Sequence, residues 1–259
     1  MAHSMLSPSG AHRWLACTPS AVLERQFPDQ GSDAAAEGTL AHELAELKLR
    51  NFFQAADFGK TKFTRAVNAL KRDPLWKDEM QGYTDTYLDY VKSLSLGFEN
   101  TPSAMVEKHI DLDMYIPSLP EEDPAGGTAD CILIGGGVLH IIDFKYGKGV
   151  PVSAEGNPQL SLYALGAYEA YKILYPIERI ELHIVQPRIS DEPSEWGCSL
   201  TELSRSFFAD SSYMLSFSVL CSCVCSRLIS PSVSSWHKQD NTLMHQSPGH
   251  IQRRTPYNF

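Results

Sequence analysis

Three consecutive glycines, Gly135-Gly136-Gly137, separate two short apolar runs, Cys131 to Ile134 and Val138 to Ile142. Glycine accepts positive φ at little cost, so the runs are predicted to fold back on each other as a hairpin. Asp130 opens the first run, and Asp143-Phe144-Lys145 closes the second. Folding about the triplet brings Asp130 roughly opposite the end of the second strand, beside Asp143. Strand alternation then puts Asp143 and Lys145 on one face and turns Phe144 into the core.

Two carboxylates held close together repel unless a cation lies between them, and oxygen ligands with open positions suit Mg²⁺ or Mn²⁺. A lysine beside such an ion orients a water nucleophile or offsets charge in a phosphorane-like transition state. An aspartate and a lysine two apart are equally at home on a solvated surface hairpin, so the flanking segments decide. Downstream, a helix is predicted from about Pro158 to Tyr171, with proline at its first turn and Gln159 and Tyr163 one turn apart. Upstream, Glu37 to Glu46 reads EGTLAHELAE: Thr39 can cap a helix, and His42 and Glu46 share one face of it. The zinc-protease pattern H-E-x-x-H is not met, since Glu46 replaces the second histidine and no third ligand is evident.

The ordered set of G-T-x-x-H, G-x-x-D, D-x-K and Q-x-x-x-Y resembles the RecB-type branch of the PD-(D/E)XK nucleases. The resemblance implies an α/β fold with a restriction-endonuclease-like core, a central mixed β-sheet flanked by helices, and an N-terminal helical segment. It implies a Mg²⁺- or Mn²⁺-dependent deoxyribonuclease, an exonuclease, with DNA as partner. His42, Asp130, Asp143 and the carbonyl of Phe144 are the implied metal ligands. Lys145 would position the attacking water, and Gln159 and Tyr163 would support substrate or steady the lysine. Glu46 and Glu107 are further candidates, although a strand glutamate such as Glu107 is more often the solvated side of an edge strand. The alternative is an inactive or truncated DNA-binding or assembly module of the same fold.

The opening, Leu6 to Ser20, is similar to the start of an uncharacterised RecB-like family carried by bacteriophages and prophages, and the resemblance extends to about Leu203. It implies a role in phage recombination, replication or repair, beside other phage proteins. Relatives of this architecture often hold an iron–sulfur cluster through one N-terminal and three C-terminal cysteines. Cys17 would be the first ligand, but Cys221, Cys223 and Cys225 form C-x-C-x-C instead of the usual spacing, so no cluster is expected.

Residues 1–203 are therefore expected to form the nuclease domain, and residues 204–259 an atypical Ser/Cys-rich tail that is irregular and contributes little to the core. The tail holds Asp210 and Asp240 against Arg205, Arg227, Lys238, Arg253 and Arg254, a net positive segment in a chain of net charge −9. A frame change near the codons for Leu203 to Ser206, or a foreign tail joined there, would leave this signature; a divergent linker and tail is the alternative. The uncharged stretch Ser211 to Ser226 falls short of the ~20 apolar residues that span a bilayer, and Ser9, His12 and Arg13 interrupt any signal-peptide core. A cytoplasmic protein with reduced thiols is expected.

The overall acidity is unusual for a DNA binder, so a local basic rim is required; Lys60, Lys62, Arg65, Lys71, Arg72, Lys145, Lys148 and Arg188 could supply it. The coarse layout is a capping segment to about Pro28, the His42 helix, a polar stretch near Lys60 to Lys77, and a helix Asp78 to Leu96 with Leu88, Val91 and Leu94 on its apolar face. A strand Ala104 to Leu112 precedes the loop Pro117 to Gly127 and the hairpin, and a strand Arg179 to Gln186 follows the Gln159 helix.

Overall fold

The glycine triplet turns the chain where the sequence places it. In the computed structural model Gly136 and Gly137 have φ of 55° and 80°, and the pair Gly135↔Val138 closes a two-residue turn whose twist matches that of its strands. The structure describes residues 5–17, 19–24, 26–27, 31–116 and 125–208. By its contacts the chain divides into Met1–Met214 and Leu215–Phe259, the second of which lies outside the described residues.

A 3₁₀ turn at Pro8–Gly10, α1 (Ala11–Ala16) and α2 (Pro19–Glu24) precede the long α3 (Asp33–Phe53), α4 (Ala55–Phe58), α5 (Lys60–Leu70) and α6 (Glu79–Leu96). Then come β1 (Ser103–Asp111), β2 (Gly126–Gly135), β3 (Val138–Phe144), α7 (Pro158–Tyr171), β4 (Arg179–Val185), β5 (Ser194–Cys198) and α8 (Leu200–Phe208). The strands pair in sequence order into one five-stranded sheet. All neighbours are antiparallel except β3 and β4, which run parallel because α7 carries the chain back between them. The fold is thus a mixed α/β structure with a five-stranded mixed sheet flanked by helices.

β3 is buried on both faces, and its alternation sorts the core. Ile142 and Phe144 pack with Leu133, Val185 and the apolar sides of α3 and α6, where Leu44, Leu49, Met80, Tyr87 and Val91 are fully buried. Asp143, between them in sequence, meets α7 on the opposite face. A Cβ at Gly166 of α7 would stand 2.3 Å from Ile110 Cγ2 and 3.0 Å from the Asp111 carbonyl, so only glycine lets this helix lie so close to β1.

Several expectations need correction. The stretch Lys60 to Lys77 is not merely polar: it contains α5, whose Phe63, Val67 and Leu70 recur at helical spacing, and Val67 and Leu70 pack on the core. Thr39 is no cap, because α3 begins earlier, at Asp33, with the Ser32 hydroxyl accepting from the Ala35 N–H; Thr39 Oγ1 instead donates back to the Ala35 carbonyl. The buried stripe of α6 is Met80, Thr84, Tyr87 and Val91, with Leu88 and Leu94 at its partly exposed border. The helix expected from about Pro158 to Tyr171 is α7, and it buries every residue from Leu160 to Ala167. Helical structure continues past Leu203 to Phe208; the remainder of the expected tail, Cys221, Cys223 and Cys225 included, lies outside the described residues, as does most of the loop after Ile116. No helix among the described residues is long and apolar enough to cross a membrane.

Candidate metal centre

The ladder pair Cys131↔Ile142 places the next two residues, Asp130 and Asp143, side by side where β2 and β3 end. Asp130 Oδ2 accepts the Phe144 backbone N–H at 2.8 Å, which locks the carboxylate across the strands. From α3, His42 brings Nδ1 to 3.5 Å from the same oxygen, its ring tilted on that of Phe144 at 5.3 Å. From β3 outward, Lys145 Nζ lies 2.9 Å from Asp143 Oδ2.

Gln159, at the first turn of α7, ties the last two together. Its amide nitrogen donates to Asp143 Oδ1 at 3.0 Å, and its amide oxygen accepts from Lys145 Nζ at 2.9 Å. α7 starts where it does because the Asn157 side chain accepts the Leu160 N–H and Pro158 occupies the first turn, so the cap fixes Gln159 over the strand end. One turn on, the Tyr163 hydroxyl rests against Gly127, where a Cβ would stand 3.0 Å from it and 2.9 Å from Pro8 Cδ. Glycine at the head of G-x-x-D is therefore required by the tyrosine and by the N-terminal turn that packs there.

Charge at this strand end is held against burial. Burial disfavours an ionised Asp130, but His42, the Phe144 N–H and Lys145 outweigh it and keep the carboxyl below its usual range. Burial, reinforced by the neighbouring Asp130, pushes Asp143 the other way despite Lys145. Burial also opposes charge on His42, yet Asp130 and Asp143 raise its pKa to about 9; with 34% of the side chain exposed, water screens part of that pull. Lys145 is likewise raised by the two aspartates against its own desolvation and stands as an ammonium ion. Tyr163 is pushed up by burial and by both aspartates.

Asp143 is 3% exposed, and its Oδ2 has no hydrogen-bond partner: the Lys145 ammonium approaches to ion-pair distance but outside hydrogen-bond direction. Two adjacent buried carboxylates, one with an oxygen met only by an ammonium group, are a donor set that fits a hard divalent cation. Asp130 and Asp143 could hold it, with His42 and the carbonyl of Phe144, the last residue of β3, alongside. Among the described residues no three His, Cys, Asp or Glu side chains already converge as a cage. Here His42 and Lys145 neutralise the pair instead.

Glu107 belongs to this neighbourhood and is not simply the solvated side of an edge strand. The pairs Val106↔Cys131 and Lys108↔Ala129 set it level with Asp130, and it is the one non-glycine among the described residues with positive φ, at 50°. Burial, with Asp130 and Glu46 nearby, raises its carboxyl to about 7. Glu46, the other further candidate, is engaged along α3: its Oε1 accepts from Arg50 Nε at 2.6 Å. Cys17 is exposed, while Cys131, beside Asp130, is a buried thiol pushed up by burial. Of the expected basic rim, Arg188 is withdrawn: it pairs with Glu37 at 3.2 Å and Glu79 at 2.8 Å and lies over the Tyr146 ring at 4.4 Å.

A family model described as "Protein of unknown function (DUF2800)" matches residues 3–212. The chain belongs to the DUF2800 family. The match takes in every side chain of the strand-end cluster and all of α8. Among solved structures the chain is similar to one titled "Crystal structure of SSO0001", at 16% identity over 68% of this chain and 74% of that one, with a TM-score of 0.29, too low to carry an argument.

Sequence order alone does not reveal that Glu107 is strained or that Glu37 is committed to Arg188 and Lys77. A close neighbour at Gly127 could have been suspected, since a glycine within a strand often marks the approach of another segment, here Pro8 and the Tyr163 hydroxyl.

Proposed function

We propose that this DUF2800 protein is a Mg²⁺- or Mn²⁺-dependent DNA nuclease of the RecB-like PD-(D/E)XK type. The observation that carries the reading is the bridge in which Gln159 clamps Lys145 onto Asp143 beside Asp130. A surface ion pair would not be buried, nor held by a helix-borne amide satisfying both partners. A divalent cation bound by Asp130 and Asp143 would lower the pKa of water and neutralise phosphoryl charge. Lys145, fixed by Gln159, then offers its ammonium to the charge that develops on the phosphoryl oxygens, where a preorganised cation stabilises most. His42 carries a proton while it faces Asp130 and must release it before its nitrogen can serve as a ligand. Tyr163 backs Gln159 from the next helical turn.

Neutralisation of both aspartates by His42 and Lys145, with no converged cage, favours a second reading: a non-catalytic DNA-binding module of the same fold. Digestion of end-labelled DNA with and without Mg²⁺, by the wild type and by Asp143→Asn, separates the two. Cleavage that needs both the metal and Asp143 supports the nuclease; no cleavage under any divalent ion leaves the binding module.

A further inference from the structure

Between Lys60 and Arg72 the chain carries five basic residues, Lys60, Lys62, Arg65, Lys71 and Arg72, and no acidic one, although its net charge is −9. All five are exposed, and none pairs with a carboxylate among the described residues. Elsewhere the usual state of a basic side chain here is the opposite: Lys48, Arg50, Lys77, Lys145, Arg179 and Arg188 are each held by an aspartate or glutamate. A protein this acidic that leaves one stretch of positive charge unanswered presents it to something else.

The placement is specific. Val67 and Leu70 fix the inward side of α5, and at about 100° per residue Arg65 falls about 170° from their mean direction and Lys62 about 110°, while Lys60 and Lys71 flank the packed side and Arg72 follows in the turn after the helix. α5 packs on α3, the helix that delivers His42, and after α5 the chain returns to α3 through the Lys77–Glu37 ion pair. Lys62 Nζ lies over the Phe58 ring at 6.0 Å and Lys71 Nζ over Trp76 at 5.8 Å, contacts that order the two side chains while both residues stay exposed. From Lys60 to Leu70 the helix rises about 15 Å, a little under half a turn of duplex DNA.

We propose that α5 is a docking ridge for the phosphate backbone of duplex DNA; the choice of DNA as the polyanion rests on the nuclease reading above. Such a ridge contributes sequence-independent affinity through counterion release, so its signature is salt dependence.

The test is binding of the full chain to a fluorescent duplex of ~20 base pairs in EDTA, where cleavage cannot compete, over a range of salt. A Lys62→Gln/Arg65→Gln/Arg72→Gln variant is compared with a Lys92→Gln/Lys172→Gln/Arg179→Gln control that makes the same change in net charge at paired, remote sites. The α5 variant is expected to bind about tenfold or more weakly near 0.1 M salt, with a log–log salt slope shallower by about 2 to 3, while the control stays close to wild type. Wild-type affinity and slope in the α5 variant overturn the proposal, and so does an equal loss in the control, which would mean that only net charge matters. A wild type with no affinity for duplex at low salt overturns it even if single strands are cut. A wild type that binds through α5 but never cleaves leaves the ridge standing and removes the nuclease reading.

Discussion

β3 carries two buried polar clusters three residues apart, and they are built on opposite rules. At its end, on the α7 side, Asp143 keeps an oxygen without a hydrogen bond, its carboxyl is raised by burial, and the level residue Glu107 holds a left-handed backbone. In its middle, on the α6 side, His140 stacks on His183 and shares a 2.9 Å hydrogen bond with it; Tyr90 bonds His183 Nδ1 at 2.6 Å and donates to Glu195 at 2.6 Å. The histidine chain is satisfied link by link, and burial keeps both rings neutral, at about 4 for His140 and about 3 for His183. The strand end thus combines backbone strain with a carboxyl pushed up by burial, whereas the histidine chain is hydrogen-bonded at each link.

The largest expected effect separates the two outright. Asp143→Asn should lower metal-dependent DNA cleavage by about 10³-fold or more with the fold retained, while the thermal midpoint falls because Lys145 loses its buried ion-pair partner. Lys145→Ala should slow turnover by about 10²-fold or more with metal affinity retained. Near-normal Mg²⁺-dependent cleavage by Asp143→Asn would rule out the assignment.

The converse holds for the scaffold. His183→Leu removes the acceptor of His140 and the partner of Tyr90, and each buried group left unmatched costs about 1–3 kcal/mol. The thermal midpoint should fall by several degrees, with turnover of the folded fraction unchanged. A drop in turnover at full folding would show that the histidine chain serves the strand end.

Acid should find the same weak point. In the unfolded chain imidazoles take up protons below about pH 6.5, whereas the folded pair resists until about 4 and 3, so stability present above 6.5 is lost as pH falls through this window. Each histidine can contribute at most ~1.4 kcal/mol per pH unit. Groups packed around the pair are Tyr90 from α6, Glu181 and Arg179 from β4, and Glu195 from β5. Glu107, raised to about 7, acts in the opposite sense over part of the range, so the quantity to measure is the difference in denaturation midpoint between wild type and a His140→Phe/His183→Leu variant at pH 7 and pH 5. That difference should shrink as pH falls; a constant gap would mean the rings are not held neutral.

The end of β3 was legible in the sequence because its signals are local and periodic. The glycine triplet sets a register, period two sorts Asp143 from Phe144, and Pro158 and Asn157 start α7 within a residue. What stayed hidden depends on contacts between distant segments. α5 reads as polar because its apolar side is only three residues, each partly buried by helices that the local pattern cannot announce. His140 and His183 look like unrelated residues on two strands until parallel pairing stacks them. Thr39 matched a cap motif, yet Ser32 won the helix start because the residues between them, Asp33 to Gly38, continue the helix without a break.

Glu107 offers the finest discrimination between a strained site and an accidental kink. A side-chain-bearing residue in the left-handed region costs about 1 kcal/mol relative to glycine, and a half-buried carboxylate beside Asp130 adds to that. Glycine within a strand gives some of this back through chain entropy, so Glu107→Gly should stabilise the fold by a few tenths to about 1 kcal/mol, read as a small rise in the urea midpoint. If the strain serves the strand end, metal affinity should fall in the same variant, because a carboxylate level with Asp130 no longer contributes to the field that attracts the cation. A rise in stability with unchanged metal affinity would instead make the left-handed turn a packing device, and it would move Glu107 from the first cluster to the second.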